Sequence, residues 1–205
     1  KNMEKVINIF GDSITWGAGD AEMGGWADRL KNHLGKDKDE EDYFETYNLG
    51  IGGDNSDKLL KRFSTENEAR NPDTIIIAIG INDSQWSGSR ENSRVPLERF
   101  ESNLEEMVKE AQKFTKEIVF VGITRVDESK VSPTFWDPSK HYDNENIARY
   151  DAKIKEVCER NGLLFVEMMD LLKDSDLEDG LHPNVKGYEK MFLRVRDFLA
   201  DNKII

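Results

Sequence analysis

Val6-Ile7-Asn8-Ile9-Phe10-Gly11-Asp12-Ser13-Ile14-Thr15-Trp16-Gly17 decides the reading of this chain. Its first five residues form a short, nearly continuous apolar run of the kind that suits a strand covered on both faces. Gly11 follows directly, Ser13 stands three residues past the run, and Gly17 and Gly19 lie close behind. A tight strand-to-helix turn is therefore expected to present the Ser13 hydroxyl. Residues 74–79, 118–123 and 163–166 are apolar runs of the same character, rich in β-branched side chains, and residues 43–49 make a weaker one.

Segments of helical spacing lie between the runs. Leu97, Phe100, Leu104, Met107, Val108, Ala111 and Phe114 fall on one stripe, as do Ile147, Tyr150, Ile154, Val157 and Cys158. Tyr188, Met191, Phe192, Val195, Phe198 and Leu199 make a third, with Asn184 placed to cap its helix just after Pro183. These stripes read as core, not as cofactor contacts. Strand and helix alternate throughout, which predicts right-handed crossovers and a three-layer α/β/α sandwich with a five-stranded, mainly parallel sheet. The 205 residues contain no linker-like tract and no internal repeat, so a single domain over residues 1–205 is expected.

Lys and Arg number 29 against 41 Asp and Glu, a net charge of −12. Such a field repels polyanions and disfavours nucleic acid or an anionic membrane as partner. The acidic stretch Asp37, Asp39, Glu40, Glu41 and Asp42 reads as a solvated loop. Cys158 is the sole cysteine, so no intrachain disulfide can form, and it sits on an apolar stripe as a small core residue. The first apolar run is too short for a signal-peptide core or a membrane span. A cytoplasmic location without stable membrane insertion is expected, although Lys1, not Met, at the start leaves room for a removed leader.

Open α/β sheets bind ligands at the carboxyl ends of their strands, which is where the polar motifs of this chain fall. A serine hydroxyl there is a weak nucleophile until a neighbouring base takes its proton. His182 is the best of three candidates, since His33 lies in a polar helical segment and His141 in a polar loop. Asp179, three residues before it across Gly180, can bend back to the imidazole's other nitrogen, select its tautomer and stabilise the imidazolium. Asp174, Asp176 and Glu178 are rival partners without that glycine-bridged approach. Acyl transfer also needs donors for the developing oxyanion, and the N–H groups of Ser13 and Gly53 with the side-chain amide of Asn82 supply three. Asp12, Asp54 and Asp83 flank these motifs and are expected to bond neighbouring backbone N–H groups and fix their loops. No histidine pair has metal-ligand spacing, no Cys–His cluster exists and no P-loop is present, so neither metal nor cofactor is expected.

Four blocks carry a resemblance: residues 10–17 (Phe-Gly-Asp-Ser-Ile-Thr-Trp-Gly), Asn48-Leu49-Gly50-Ile51-Gly52-Gly53-Asp54, Gly80-Ile81-Asn82-Asp83 and Asp179-Gly180-Leu181-His182-Pro183. In that order and spacing the chain resembles the GDSL esterase/lipase family of the SGNH hydrolase superfamily, with Ile14 where the family name has Leu. The resemblance implies a flavodoxin-like fold and an accessible site without cofactor. It also implies Ser13 as nucleophile and first oxyanion donor, Gly53 and Asn82 as further donors, His182 as base and Asp179 as its partner. Family members act on acyl esters, thioesters, acetylated sugars and lysophospholipids.

The expected substrate is a small, water-soluble acetyl or short-chain ester, with carbohydrate esters among the candidates. The alternatives are a lysophospholipase or thioesterase of the same family, a non-catalytic ligand-binding domain, and a metal-dependent phosphoesterase using the flanking aspartates. Residues 125–146, a long connection carrying Pro133, Phe135, Trp136, Pro138 and Tyr142, are expected to wall the acyl or leaving-group pocket. Trp16, Trp26 and Trp86 are candidates to join Trp136 there, ordinary packing being the rival for each. Oligomeric state is not readable from the sequence.

Overall fold

A computed structural model describes residues 3–35 and 42–205. The acidic stretch lies outside the described residues apart from Asp42, which opens a strand. In chain order the elements are β1 (Met3–Gly11), α1 (Ser13–Trp16), α2 (Gly25–Leu34), β2 (Asp42–Gly50), α3 (Ser56–Arg70), β3 (Thr74–Ala78) and α4 (Ile81–Ser84). There follow a small hairpin, β4 (Trp86–Ser87) and β5 (Ser89–Ser93), then α5 (Leu97–Ala111), β6 (Glu117–Val121), α6 (Glu128–Val131), α7 (Asn144–Asn161), β7 (Leu164–Val166) and α8 (Val185–Asp201).

The main sheet runs β2-β1-β3-β6-β7, and every neighbouring pair is parallel. Helices α2 and α8 pack together in one layer, and α3, α5 and α7 pack side by side in the other. Cover on both faces explains the continuous apolar runs: Ile7, Ile9, Phe10, Ile75, Ile76, Ile77, Val119 and Phe120 are fully buried. The one polar residue inside the first run, Asn8, is also buried, and its Nδ2 donates to Asn67 Oδ1 of α3 at 2.9 Å. The expected sandwich is observed, with an all-parallel main sheet.

Sheet growth reverses between β1 and β3, so a crevice opens at the carboxyl ends of these strands. Several helices that start beside it are capped by short polar side chains. Asp12 accepts from Ile14 N at 2.9 Å, Asn55 from Lys58 N at 3.0 Å, and Asn184 from Gly187 N at 3.0 Å. Two features differ from the sequence reading. Helix α5 ends at Ala111, leaving Phe114 beyond it as a partly buried side chain against the core. The β4–β5 hairpin has no apolar alternation to announce it; it is secured by Trp86, whose backbone exchanges hydrogen bonds with His141 at 3.0 and 2.9 Å.

Candidate active site

Ser13 is the first residue of α1, immediately past β1, in a turn where main-chain N–H groups have no acceptor within the helix. Its Oγ lies 2.9 Å from His182 Nε2. His182 Nδ1 in turn lies 2.7 Å from Asp179 Oδ2, while Asp179 Oδ1 accepts the N–H groups of Leu181 at 2.9 Å and His182 at 2.8 Å. The fold thus brings together three residues from opposite ends of the chain. Gly180 makes the bend with φ of +91°, and a Cβ there would come within 2.7 Å of Lys130 Cβ. Burial alone would raise the Asp179 carboxyl, but the hydrogen bonds and charge of His182, with the Leu181 N–H, outweigh it and hold the group at about 2. The rival carboxylates are engaged elsewhere: Asp174 pairs with Arg125, Asp176 with Lys190 at 2.7 Å, and Glu178 is exposed.

The second block meets the first across the crevice, and the third meets the second. Asn48 of β2 donates to Thr15 O at 3.0 Å and to Asp28 Oδ1 at 3.0 Å, and Ile51 N donates to Gly11 O at 3.1 Å. Gly53 has φ of +76°, and a Cβ would meet nothing within 4 Å, so its backbone faces open space at the rim. Arg94 Nη2 donates to Gly53 O at 3.1 Å and ties down that loop. Asn82, in α4 after β3, gives one Nδ2 hydrogen to Asp54 O at 2.8 Å, and its Oδ1 accepts the Tyr142 hydroxyl at 2.9 Å. The remaining Nδ2 hydrogen is the one available to a substrate oxygen.

The flanking aspartates support these loops in three different ways. Asp12 caps α1 through the neighbouring Ile14 N–H, as expected. Asp54 instead pairs with the side chain of Arg62 of α3, eight residues along the chain, at 2.9 Å. Asp83 reaches the start of α3 just past the second block, accepting Ser56 N at 3.0 and 3.1 Å and the Ser56 hydroxyl, which itself accepts Asn103 Nδ2 at 2.8 Å. Burial raises Asp12 to about 7, against the Ile14 N–H and the His182 charge, with Asp54 adding to the rise. Burial likewise raises Asp83 to about 7, against its two bonds from Ser56.

The aromatic residues separate into core and surface. Trp26 is fully buried in α2 and cannot wall an open pocket. Trp86 stacks on His141 with ring centroids 4.2 Å apart and donates Nε1 to Asp143 at 2.6 Å, so it braces the loop of residues 125–146. His141 is accordingly a packed residue with Nδ1 3.1 Å from Ser132 Oγ, while His33 is exposed. Trp16, on the face of α1 that carries Ser13, is 60% exposed, and Ile51, just ahead of Gly52 and Gly53, is 45% exposed. Phe135 and Trp136 are exposed and meet edge to face at 4.8 Å. Tyr142, expected in a pocket wall, is 2% exposed and lies behind Asn82. That contact, with Ser56, Arg62 and Arg94, escaped the sequence reading because each depends on long-range side-chain packing.

A parallel α/β sheet with a hydroxyl, imidazole and carboxylate in hydrogen-bonded series beside its switch point defines a serine-type hydrolase. Residues 9–190 match the GDSL-like Lipase/Acylhydrolase family, and the chain belongs to that family. The isoamyl acetate-hydrolyzing esterase 1 homolog of Homo sapiens is 25% identical over 200 residues, covering 90% of this chain and 77% of that protein. Acetylxylan esterase of Geobacillus stearothermophilus is 26% identical over 162 residues, covering 72% of this chain and 69% of its own. Among solved structures, a lipase/acylhydrolase from Enterococcus faecalis superposes with a TM-score of 0.75 at 22% identity, over 97% of this chain and 96% of that one. The acetylxylan esterase structure gives 0.72 at 22% identity, over 96% and 93%. Both share the fold. No helix of the described residues is long and apolar enough to cross a membrane.

Proposed function

We propose that this esterase hydrolyses acetyl and other short acyl esters of small alcohols, carbohydrate hydroxyls among them, through an acyl-enzyme on Ser13. The observation that carries the reading is the hydrogen-bonded series from Ser13 Oγ through His182 to Asp179, at 2.9 and 2.7 Å. Ser13 Oγ attacks the ester carbonyl carbon as its proton passes to His182 Nε2, and Asp179 stabilises the imidazolium that forms. The tetrahedral oxyanion is held by the N–H groups of Ser13 and Gly53 and by the Nδ2 of Asn82. Collapse breaks the bond to the alcohol oxygen, which leaves with the proton from His182. Water then attacks the acyl-serine by the reverse proton path, releasing the carboxylic acid and free Ser13.

Two relatives support an acetyl preference, one named for isoamyl acetate and one for acetylxylan. The exposed Trp16 and Ile51 beside Ser13 and Gly53 offer an apolar rim to a leaving group. Neither cofactor nor metal has a part in the scheme. The test is hydrolysis of p-nitrophenyl esters of two to twelve carbons and of acetylated oligosaccharides, with and without chelator, by wild type and Ser13→Ala. Wild-type rates that fall with chain length, ignore chelator and vanish in Ser13→Ala support the proposal. Chelator-sensitive activity that survives the substitution favours a phosphoesterase-like chemistry, and a preference for long chains favours a lysophospholipase.

A further inference from the structure

Asn82 has an amide whose two ends are nearly equal in size and opposite in hydrogen-bonding character. Only one orientation presents N–H to a developing oxyanion; the flipped one would present a carbonyl oxygen and repel it. Two contacts bear on this choice. The main-chain oxygen of Asp54, which can only accept, lies 2.8 Å from Nδ2, and the Tyr142 hydroxyl lies 2.9 Å from Oδ1. We infer that Tyr142 is a positioning residue of the oxyanion hole: Asp54 O fixes which end of the Asn82 amide donates, and the Tyr142 hydroxyl, donating to Oδ1, pins the amide in that place and polarises it toward the substrate oxygen. The inference rests on the reading of Asn82 as an oxyanion donor.

The placement of that hydroxyl is rigid. Tyr142 is 2% exposed, and its N–H donates to Val131 O at 3.0 Å. The residue before it, His141, is stacked on Trp86 and paired with it through the backbone. Burial moves the phenol to a higher pKa, so at working pH it carries the proton that it must donate. A donor at Oδ1 withdraws electron density from the amide and makes the opposite N–H groups stronger donors, as in other chains of hydrogen bonds. The long connection of residues 125–146 thus reaches the chemistry from behind the oxyanion hole, through one phenolic oxygen.

Tyr142→Phe removes that oxygen and little else. Rates with p-nitrophenyl acetate are expressed per active site, titrated with an organophosphonate that labels Ser13. The expected result is a kcat lowered about ten- to a hundred-fold with KM within about twofold, less than the hundred- to thousand-fold typical of losing a whole donor. In an Asn82→Ala background the same substitution should change kcat by less than twofold, because its effect runs through Asn82. A second variant, 3-fluorotyrosine at position 142, keeps the shape with a more acidic hydroxyl and should retain kcat within about threefold. A wild-type kcat in Tyr142→Phe, effects that multiply in the double variant, or loss of activity with fluorotyrosine overturns the inference. Wild-type activity in Asn82→Ala alone would instead sink the oxyanion reading beneath it.

Discussion

Asp179→Asn separates orientation of the imidazole from support of its loop. In the wild type, Oδ1 accepts two backbone N–H groups at 2.9 and 2.8 Å, and Oδ2 meets His182 Nδ1 at 2.7 Å. An asparagine keeps the first two bonds with its carbonyl oxygen and thereby turns its NH2 toward Nδ1. Nδ1 must then accept, so the ring proton moves to Nε2 and points at Ser13 Oγ, 2.9 Å away. A base has become a donor. In serine proteases with this bonding pattern the same change costs roughly 10⁴-fold in kcat, about 5.5 kcal/mol of barrier.

The stability cost is much smaller. Asp179 is held at about 2 against an ordinary 3.8, so its contribution is present above about pH 4 and is lost as pH falls through about 2. Linkage puts that near 2 kcal/mol, roughly halved by screening because the side chain is 29% exposed. The assay is p-nitrophenyl acetate hydrolysis at pH 8 beside a thermal melt of the same sample. The account expects a rate loss near 10⁴ with a melting point only a few degrees lower. A kcat within tenfold of wild type would refute the assigned role of the carboxylate.

Asn82→Ala should lower kcat for p-nitrophenyl acetate by about 10²–10³ with little change in KM; a raised KM with kcat unchanged would mean that it binds the ground state and the transition state alike. Asp12 is held at about 7 by burial, so the folded protein retains a proton that the unfolded chain gives up near 3.8, and this makes stability fall as pH rises from about 4 to 7. Asp12→Asn keeps the cap on Ile14 N, and its stability relative to wild type should climb across that window by up to roughly 4 kcal/mol, followed by urea unfolding at pH 5 and pH 8; a pH-independent difference would contradict the burial argument. Replacing Phe135 and Trp136 together by Ala should shift the ratio of kcat/KM between an acetylated oligosaccharide and p-nitrophenyl acetate several-fold, and an unchanged ratio removes these rings from the substrate pocket.

The strands were legible because burial on both faces leaves no polar positions to interrupt Ile75-Ile76-Ile77 or Val119-Phe120-Val121. The juxtaposition of Ser13, Asp179 and His182 was legible for a different reason: a nucleophile needs a base and the base an orienter, and of the carboxylates close to His182 in sequence only Asp179 makes the short approach to it across a glycine. What the sequence could not show are partners chosen by the third dimension. Asp83 is satisfied by Ser56, 27 residues away, and Asn82 by Tyr142, 60 residues away, with no periodicity to link them. The same limit applies to tryptophans: Trp16 and Trp26 are alike as letters, yet one stands 60% exposed beside Ser13 and the other is fully buried. The Trp86–His141 stack is likewise a product of tertiary pairing between a hairpin and a loop.

The central claim is that Ser13 becomes covalently acylated because His182 removes its proton. Rapid mixing with excess p-nitrophenyl acetate, followed by acid quench and mass spectrometry of the intact chain and its Ser13-containing peptide, reads this directly. The account predicts a mass increase of one acetyl group confined to Ser13, absent in Ser13→Ala and in His182→Ala. Full turnover with no acetyl on Ser13 under quench, or the same label in His182→Ala at the wild-type rate, would contradict it.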